Sequence, residues 1–163
     1  MKRIYALVVG LALLVATPGL ATADQTVWTG THKQAIDFVI QRALSQRGVP
    51  FLYGGGDANG PTRSSDPLNP TVGFDASGLM VYAFSGVGIK MPRRSSEQYL
   101  VGRKILGSQA LPGDLIFYGP RGSQSVAMFL GNGQMIEGTE PGVTVSPVRT
   151  NNMDPYLSRI IDQ

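Results

Sequence analysis

The side chains that could carry nucleophilic or acid–base chemistry are few in this sequence. The 163 residues include one histidine, His32, and no cysteine. Without cysteine the chain has no disulfide, thiolate metal ligand, cysteine nucleophile or cysteine-linked lipid anchor. Serine, aspartate and histidine chemistry are not excluded, but a serine hydroxyl needs an adjacent base to act as a nucleophile. His32 lies at the first turn of the helix predicted over residues 31–46, where the simplest interpretation is a solvated side chain.

Three predicted helices account for the first half of the folded chain. Apolar residues recur at three- and four-residue spacing over residues 31–46, where Thr31 caps the helix and a Gly-Val-Pro sequence follows it. Residues 75–87 show the same spacing, with Asp75 or Ser77 as the cap. Residues 95–101 add a short third helix, and the glycine- and proline-rich segment between the first two helices is predicted to be a long surface loop.

The second half of the chain has the pattern of short strands. Each apolar, β-prone run is bounded by Gly, Pro or Asn, and an Asn-Gly pair at residues 132–133 is typical of a tight hairpin. The predicted strands are Leu115–Tyr118, Ser125–Leu130, Gln134–Glu137, Val143–Val148 and Leu157–Ile161. Helices followed by antiparallel strands predict one α+β domain, with N-terminal helices packed on a central antiparallel sheet.

The first 23 residues have the three parts of a secretory signal. Lys2 and Arg3 precede a mostly apolar run over residues 4–16, and Ala21-Thr22-Ala23 offers a cleavage site. The run is shorter than the roughly 20 residues of a membrane span, although an uncleaved anchor is the alternative. We expect cleavage after Ala23 and a secreted protein in the cell wall or a periplasm-like space, without stable membrane insertion.

The basic character of the chain belongs mainly to this signal. The whole sequence has 14 basic and 11 acidic residues, and residues 1–23 contain two of the basic ones and none of the acidic ones. Cleavage would leave 12 basic and 11 acidic side chains, so no basic surface large enough for nucleic acid is expected.

Five ordered motifs resemble the NlpC-type papain-like endopeptidases, which cut the peptide stems of bacterial peptidoglycan. Each motif alone is weak, but their order along residues 49–148 is specific. The matching segments are Pro50-Phe51-Leu52-Tyr53-Gly54-Gly55, Asp75-Ala76-Ser77-Gly78, Pro92-Arg93-Arg94-Ser95, Pro112-Gly113-Asp114-Leu115 and Ser125-Val126-Ala127-Met128-Phe129-Leu130-Gly131. The resemblance implies a papain-like fold. Together with the predicted signal, it divides the chain into the signal (1–23), an N-terminal segment with the first helix (24–48) and an NlpC-like domain (49–163).

The resemblance also implies that the catalytic groups of the family are missing. Ala76 occupies the position of the cysteine nucleophile, and Ser125 that of the histidine base. Glu137 matches the third residue, which orients the imidazole, and Phe51 replaces a tyrosine whose hydroxyl lies near the nucleophile. Loss of a nucleophile or base costs about 10⁶ in rate in a serine protease. Ser77, next to Ala76 at the helix start, is the best remaining nucleophile candidate, but no base is assigned to it. We therefore expect a pseudoenzyme without a cofactor, similar to a non-catalytic mycobacterial type within the family.

A groove can still bind a ligand after its catalytic residues are lost, and the resemblance implies that this groove holds stem peptides. Asp75 would accept a hydrogen bond from an amine, and Arg93 would pair with a stem carboxylate. The ligand-binding residues expected from the motifs are Asp75, Ser77, Arg93, Ser95, Phe51 and Tyr53. Simpler roles are helix capping for the first two, solvation for Arg93 and Arg94, and core packing for the aromatic residues, with Trp28 as a further cleft candidate.

Two other functions fit the same motifs. The domain could be a protein–protein scaffold that binds a cell-wall hydrolase or a secretion partner, in which case an exposed apolar patch is expected. It could also retain weak peptidoglycan endopeptidase activity. The main expectation is a non-catalytic, peptidoglycan-binding protein of the cell wall.

Overall fold

The computed structural model describes residues 28–163. The predicted signal and its cleavage site lie outside the described residues. Within residues 28–163, no helix combines the length and the apolar character needed to cross a membrane.

Within residues 28–163, three α-helices form where the sequence predicts them. They are α1 (His32–Leu44), α2 (Ala76–Ser85) and α3 (Ser95–Gln98). At the start of α1, the Thr31 hydroxyl accepts a hydrogen bond from the Gln34 amide at 3.2 Å, and the Gln34 side chain accepts one from the Thr31 amide at 2.9 Å. This reciprocal pair satisfies two amide groups that a helix start otherwise leaves without partners.

Eight strands in the described part of the chain form two antiparallel sheets. The small sheet pairs β1 (Thr62–Arg63) with β2 (Val72–Gly73). The main sheet has the order β3-β8-β4-β5-β6-β7. Its strands are β3 (Arg103–Leu106), β4 (Leu115–Tyr118), β5 (Ser125–Gly131), β6 (Gln134–Gly138), β7 (Val143–Pro147) and β8 (Tyr156–Arg159). The α+β architecture is confirmed, and Asn132 and Gly133 have φ angles of 51° and 69° in the β5–β6 hairpin.

Two details of the sequence prediction were wrong. The segment predicted as an irregular loop contains β1 and β2, which are only two residues each and leave little trace in the sequence. Strand β3 was not predicted, because Ile105 is the only buried residue of its four and no apolar run marks it. The strand forms because it pairs with β8, about fifty residues later in the chain.

The helices cover one face of the main sheet. Helix α1 packs on α2, and α2 packs against β5 and β6. The larger core joins side chains of both helices with alternate residues of β4, β5 and β6, and it includes Leu79, Phe84, Phe117, Met128 and Ile136. The remaining residues of these strands face a smaller core on the other side of the sheet. Because α2 is buried on this sheet, its N-terminus is held beside the starts of α3 and β5.

A buried ion pair joins the Pro-Gly-Asp-Leu turn to the last strand. Arg159 donates from Nε and Nη2 to the Asp114 carboxylate at 2.9 and 2.8 Å. The Asp114 carboxylate also accepts a hydrogen bond from the Leu111 backbone amide at 2.8 Å. The hydrogen bond to Asp114 raises the pKa of Arg159 above its ordinary value. Asp114 therefore closes the turn before β4 and anchors β8 beside it.

Candidate functional site

An open groove of about 620 Å³ lies at the N-terminus of α2. Its volume is within the range of small-molecule and peptide sites. Five segments of the chain meet there: the Phe-Leu-Tyr-Gly segment, the start of α2, the start of α3, the start of β5 and the end of β6. The lining residues are Phe51, Tyr53, Gly54, residues 75–77, residues 93–96, residues 123–125, Gly138 and Thr139.

Asp75 fixes the start of α2 at the floor of the groove. Its Oδ1 accepts the Gly78 amide at 2.7 Å as the N-cap, and its Oδ2 accepts the Gly54 amide at 3.0 Å. A Cβ on Gly78 would lie 2.1 Å from the backbone oxygen of Gly55, and one on Gly138 would lie 2.7 Å from that of Asp75. Only glycine allows these backbones to approach so closely.

Arg93 is bound to Asp75 and does not offer its planar fork to the groove. Its Nη1 donates to Asp75 Oδ1 at 2.9 Å and to Ser77 Oγ at 2.8 Å. Its Nη2 donates to Asp75 Oδ2 at 3.0 Å and to the Gly55 oxygen at 3.0 Å. These four acceptors match the four hydrogens of the two Nη atoms. The contact of Arg93 with a ligand carboxylate stays a prediction, and the structure gives Arg93 the role of holding Asp75 and Ser77 in place.

The two positions that the motifs assign to nucleophile and base both line the groove. Ala76 is the first residue of α2 and presents a methyl group, and Ser125 begins β5 and presents a hydroxyl. Ser77 is nearly buried, accepts the hydrogen bond from Arg93 and lies 3.3 Å from Asp75 Oδ1. Arg93 donates hydrogen bonds to both the Ser77 hydroxyl and the Asp75 carboxylate. The Ser77 hydroxyl therefore does not have the environment of an activated nucleophile.

The aromatic and histidine candidates separate into two regions. Phe51 and Tyr53 line the groove, and Tyr53 is 90% exposed. Trp28 does not line the groove and instead packs on Phe38, with ring centroids 5.4 Å apart. His32 is exposed in the first turn of α1 and also lies outside the groove. Ser95 lines the groove, and its hydroxyl donates to the Gly122 oxygen at 2.6 Å.

Glu137 lies outside the groove lining and is paired with Arg149. Its side chain is 3% exposed, and both its oxygens accept hydrogen bonds from Arg149, from Nη1 and, at 3.0 Å, from Nη2. The hydrogen bonds to Glu137 raise the pKa of Arg149. The guanidinium also lies 4.6 Å from the ring centre of Tyr118, whose hydroxyl donates to the Arg149 oxygen. The sequence identified Glu137 but not its partner, which follows a different strand and belongs to no motif.

Replacing Arg149 and replacing Glu137 are expected to destabilise the protein by different amounts. Arg149→Ala is expected to lower the free energy of unfolding by about 2 kcal/mol, because it leaves a buried carboxylate without a counterion. The cost stays below that of a fully buried pair since the Arg149 side chain is 48% exposed. Glu137→Gln is expected to cost about 1 kcal/mol, because water can solvate the released guanidinium. Urea unfolding of both variants measures the difference, and a larger loss for Glu137→Gln would refute this assignment.

The sequence matches the model of the NlpC/P60 family over residues 48–162. The matched region contains every residue that lines the groove. It also contains the turn closed by Asp114 and the strand that carries Arg159.

Two peptidoglycan endopeptidases are similar to this chain in sequence. RipA from Mycolicibacterium smegmatis is 56% identical over 132 residues, which cover 80% of this chain and 27% of RipA. RipB from Mycobacterium tuberculosis is 48% identical over 162 residues, which cover 94% of this chain and 67% of RipB. The chain thus spans about a quarter of the length of RipA and two thirds of that of RipB.

The fold is similar to solved structures of this group. One is RipD from Mycobacterium tuberculosis, a non-catalytic NlpC/p60 domain protein with an adaptation to peptidoglycan-binding function. It is 58% identical, with a TM-score of 0.74, over 78% of this chain and 98% of that one. A structure of RipA is 54% identical, with a TM-score of 0.77, over 81% of this chain and 65% of that one.

Structures of RipA have been solved with mutations at a cysteine, a histidine or a glutamate. In RipA the cysteine and histidine are 49 positions apart, and the histidine and glutamate 12 positions apart. The same separations join Ala76 to Ser125 and Ser125 to Glu137 in this chain.

Proposed function

Because the chain belongs to the NlpC/P60 family, we propose that it is a non-catalytic protein that binds peptidoglycan stem peptides in the groove at the start of α2. The observation that carries the proposal is the combination of an open groove with a methyl group at position 76 and a hydroxyl at position 125. Further support comes from the residue separations shared with RipA and from the non-catalytic character of RipD.

The proposed loss of catalysis follows from the chemistry of the two positions. Attack on a peptide carbonyl needs a nucleophile, and a thiolate at a helix N-terminus has its pKa lowered by the helix. Ala76 has no lone pair to donate, and the Ser125 hydroxyl is a poor base near neutral pH. His32 lies outside the groove, so no imidazole compensates. Residual hydrolysis would then depend on groups other than these two.

The lining of the groove suits a polar peptide. Hydroxyl groups of Ser96, Ser123, Ser125 and Thr139 can each donate and accept hydrogen bonds. Tyr53 offers an exposed ring that can cover an apolar part of the ligand. A groove of this polarity favours a cell-wall ligand over the apolar docking patch that a scaffold needs.

An insoluble polymer would strengthen retention by such a groove. A shallow site with a few polar contacts gives modest affinity for one stem peptide, because ordering both partners offsets much of the contact energy. Peptidoglycan carries many identical stems, so a released protein can rebind nearby. We propose that the protein is exported by residues 1–23 and kept at the wall in this way, with residues 49–163 as the binding domain and residues 24–48 preceding it.

The groove predicts which substitution weakens retention. Asp75→Ala removes the cap of α2 and the partner of Arg93, so apparent affinity for insoluble peptidoglycan is expected to fall about ten-fold. The mature chain, residues 24–163, is mixed with purified peptidoglycan, and the pelleted fraction is measured against polymer concentration. Circular dichroism and a thermal melt show that the variant remains folded at the assay temperature.

Glu137→Gln is the matched control, since it also neutralises one carboxylate but lies outside the groove lining. Its retention is expected to equal that of the wild type. Equal losses for both variants would argue against the groove as the binding site, and a wild-type protein that stays in the supernatant at low salt would end the proposal.

A further inference from the structure

The lining of the groove contains three charged residues, and two of them neutralise each other. Asp75 and Arg93 form a bidentate ion pair in which the nearest oxygen and nitrogen are 2.9 Å apart. The third charged residue is Arg94. With the pair counted as neutral, the groove carries one net positive charge.

The guanidinium of Arg94 has no partner among the described residues. It takes part in none of the hydrogen bonds or ion pairs of residues 28–163, and only the backbone amide of Arg94 is engaged, with Glu97 Oε2 at 3.3 Å. Arg93, Arg149 and Arg159 each donate to a carboxylate instead. Arg94 therefore keeps all five of its N–H donors for a ligand.

Hydroxyl groups line the same groove as Arg94. Ser96, Ser123 and Ser125 line it, and their hydroxyls have no hydrogen-bond partner within the part of the chain that the structure describes. A carboxylate accepts hydrogen bonds from both guanidinium and hydroxyl donors, and its planar shape suits the guanidinium fork. An amide of the same size has no charge and presents two hydrogens of its own, so it fits this donor-rich site less well.

We propose that Arg94 binds a free carboxylate of the peptide ligand and makes the protein discriminate against ligands in which that carboxylate is amidated. The inference rests on the proposed function and names the chemical class of stem peptide that the groove prefers. Arg93, whose Nη hydrogens are all used, has the separate role of holding the floor of the groove.

The test compares two forms of one polymer. Purified insoluble peptidoglycan is divided, and one half has its carboxylates converted to amides with carbodiimide and ammonia. The wild-type mature chain is expected to bind the untreated half about five-fold more tightly than the amidated half, in keeping with one partly exposed charge-assisted contact. Arg94→Gln is expected to bind the untreated half about five-fold more weakly and to show little difference between the two halves.

Arg47→Gln is the charge-matched control, since Arg47 is exposed in the turn that follows α1 and lies outside the groove lining. It should keep the wild-type preference for the untreated half. If Arg94→Gln keeps that preference, or if Arg47→Gln loses it equally, the assignment to Arg94 is wrong while the binding proposal stands. If the wild type binds neither half, the proposed function fails, and this inference fails with it.

Discussion

Arg159→Ala is expected to lower the free energy of unfolding by about 3–5 kcal/mol, the cost of removing one member of a buried ion pair. The Asp114 side chain is 1% exposed and that of Arg159 is 9% exposed, so water does not replace the lost donors. The variant leaves the Asp114 carboxylate with the Leu111 amide as its remaining hydrogen-bond donor. It also removes the link between Arg159 and the Gln109 oxygen. Chemical denaturation followed by circular dichroism measures the loss.

Arg103→Ala supplies the comparison. Arg103 pairs with Asp162 at 3.4 Å, but the two side chains are 59% and 71% exposed. Solvent-exposed pairs contribute roughly 0–1 kcal/mol, so this variant should unfold close to the wild-type midpoint. Similar losses for the two arginine variants would show that the Asp114–Arg159 pair does not anchor β8.

The double variant Ala76→Cys with Ser125→His is expected to release soluble muropeptides from peptidoglycan that the wild type leaves uncut. The two substitutions place a thiol at the N-terminus of α2 and an imidazole at the start of β5, and nucleophilic attack needs both. Glu137 stands 12 positions after the new histidine, the separation of the mutated histidine and glutamate in RipA. Mass spectrometry of the supernatant detects the products.

The rate of this double variant should stay well below that of an active relative. The Glu137 carboxylate is bonded to Arg149, which competes with the new imidazole, and Phe51 still lacks the hydroxyl of the family's tyrosine. Each single variant should release far less product, since losing either group costs about 10⁶ in rate in a serine protease. A folded double variant that binds peptidoglycan and releases nothing would show that the groove no longer holds the stem in the cleavage geometry.

The sequence predicted the elements that build the groove because their signals are local. Apolar spacing and a capping residue mark α1 and α2, and short β-prone runs between turn residues mark β4, β5 and β6. Strand β3 carries no such signal, since most of its side chains are exposed and its pairing partner is β8. Non-local pairing of this kind is decided by tertiary structure and does not appear in a short window of sequence.

The sequence motifs identified residues of the candidate site but not the hydrogen bonds between them. The motifs identified Asp75, Arg93 and Glu137, and the first two do line the groove. The motifs did not reveal that Arg93 is bound to Asp75 or that Arg149 is bound to Glu137, because these contacts join segments 18 and 12 residues apart. Which arginine remains available to a ligand depends on those contacts.

The protein is proposed to bind peptidoglycan without cutting it. The most direct test of this proposal measures retention of the protein and cleavage of the polymer in one sample. A protein of residues 24–163 is incubated for a long period with insoluble peptidoglycan, the polymer is pelleted, and bound protein and soluble muropeptides are quantified together. An active peptidoglycan endopeptidase such as RipB serves as the positive control for cleavage. We predict that the protein is found in the pellet and that the supernatant contains no muropeptides beyond those of a protein-free control. New muropeptides in the supernatant, or a protein that does not sediment with the polymer, would contradict the account.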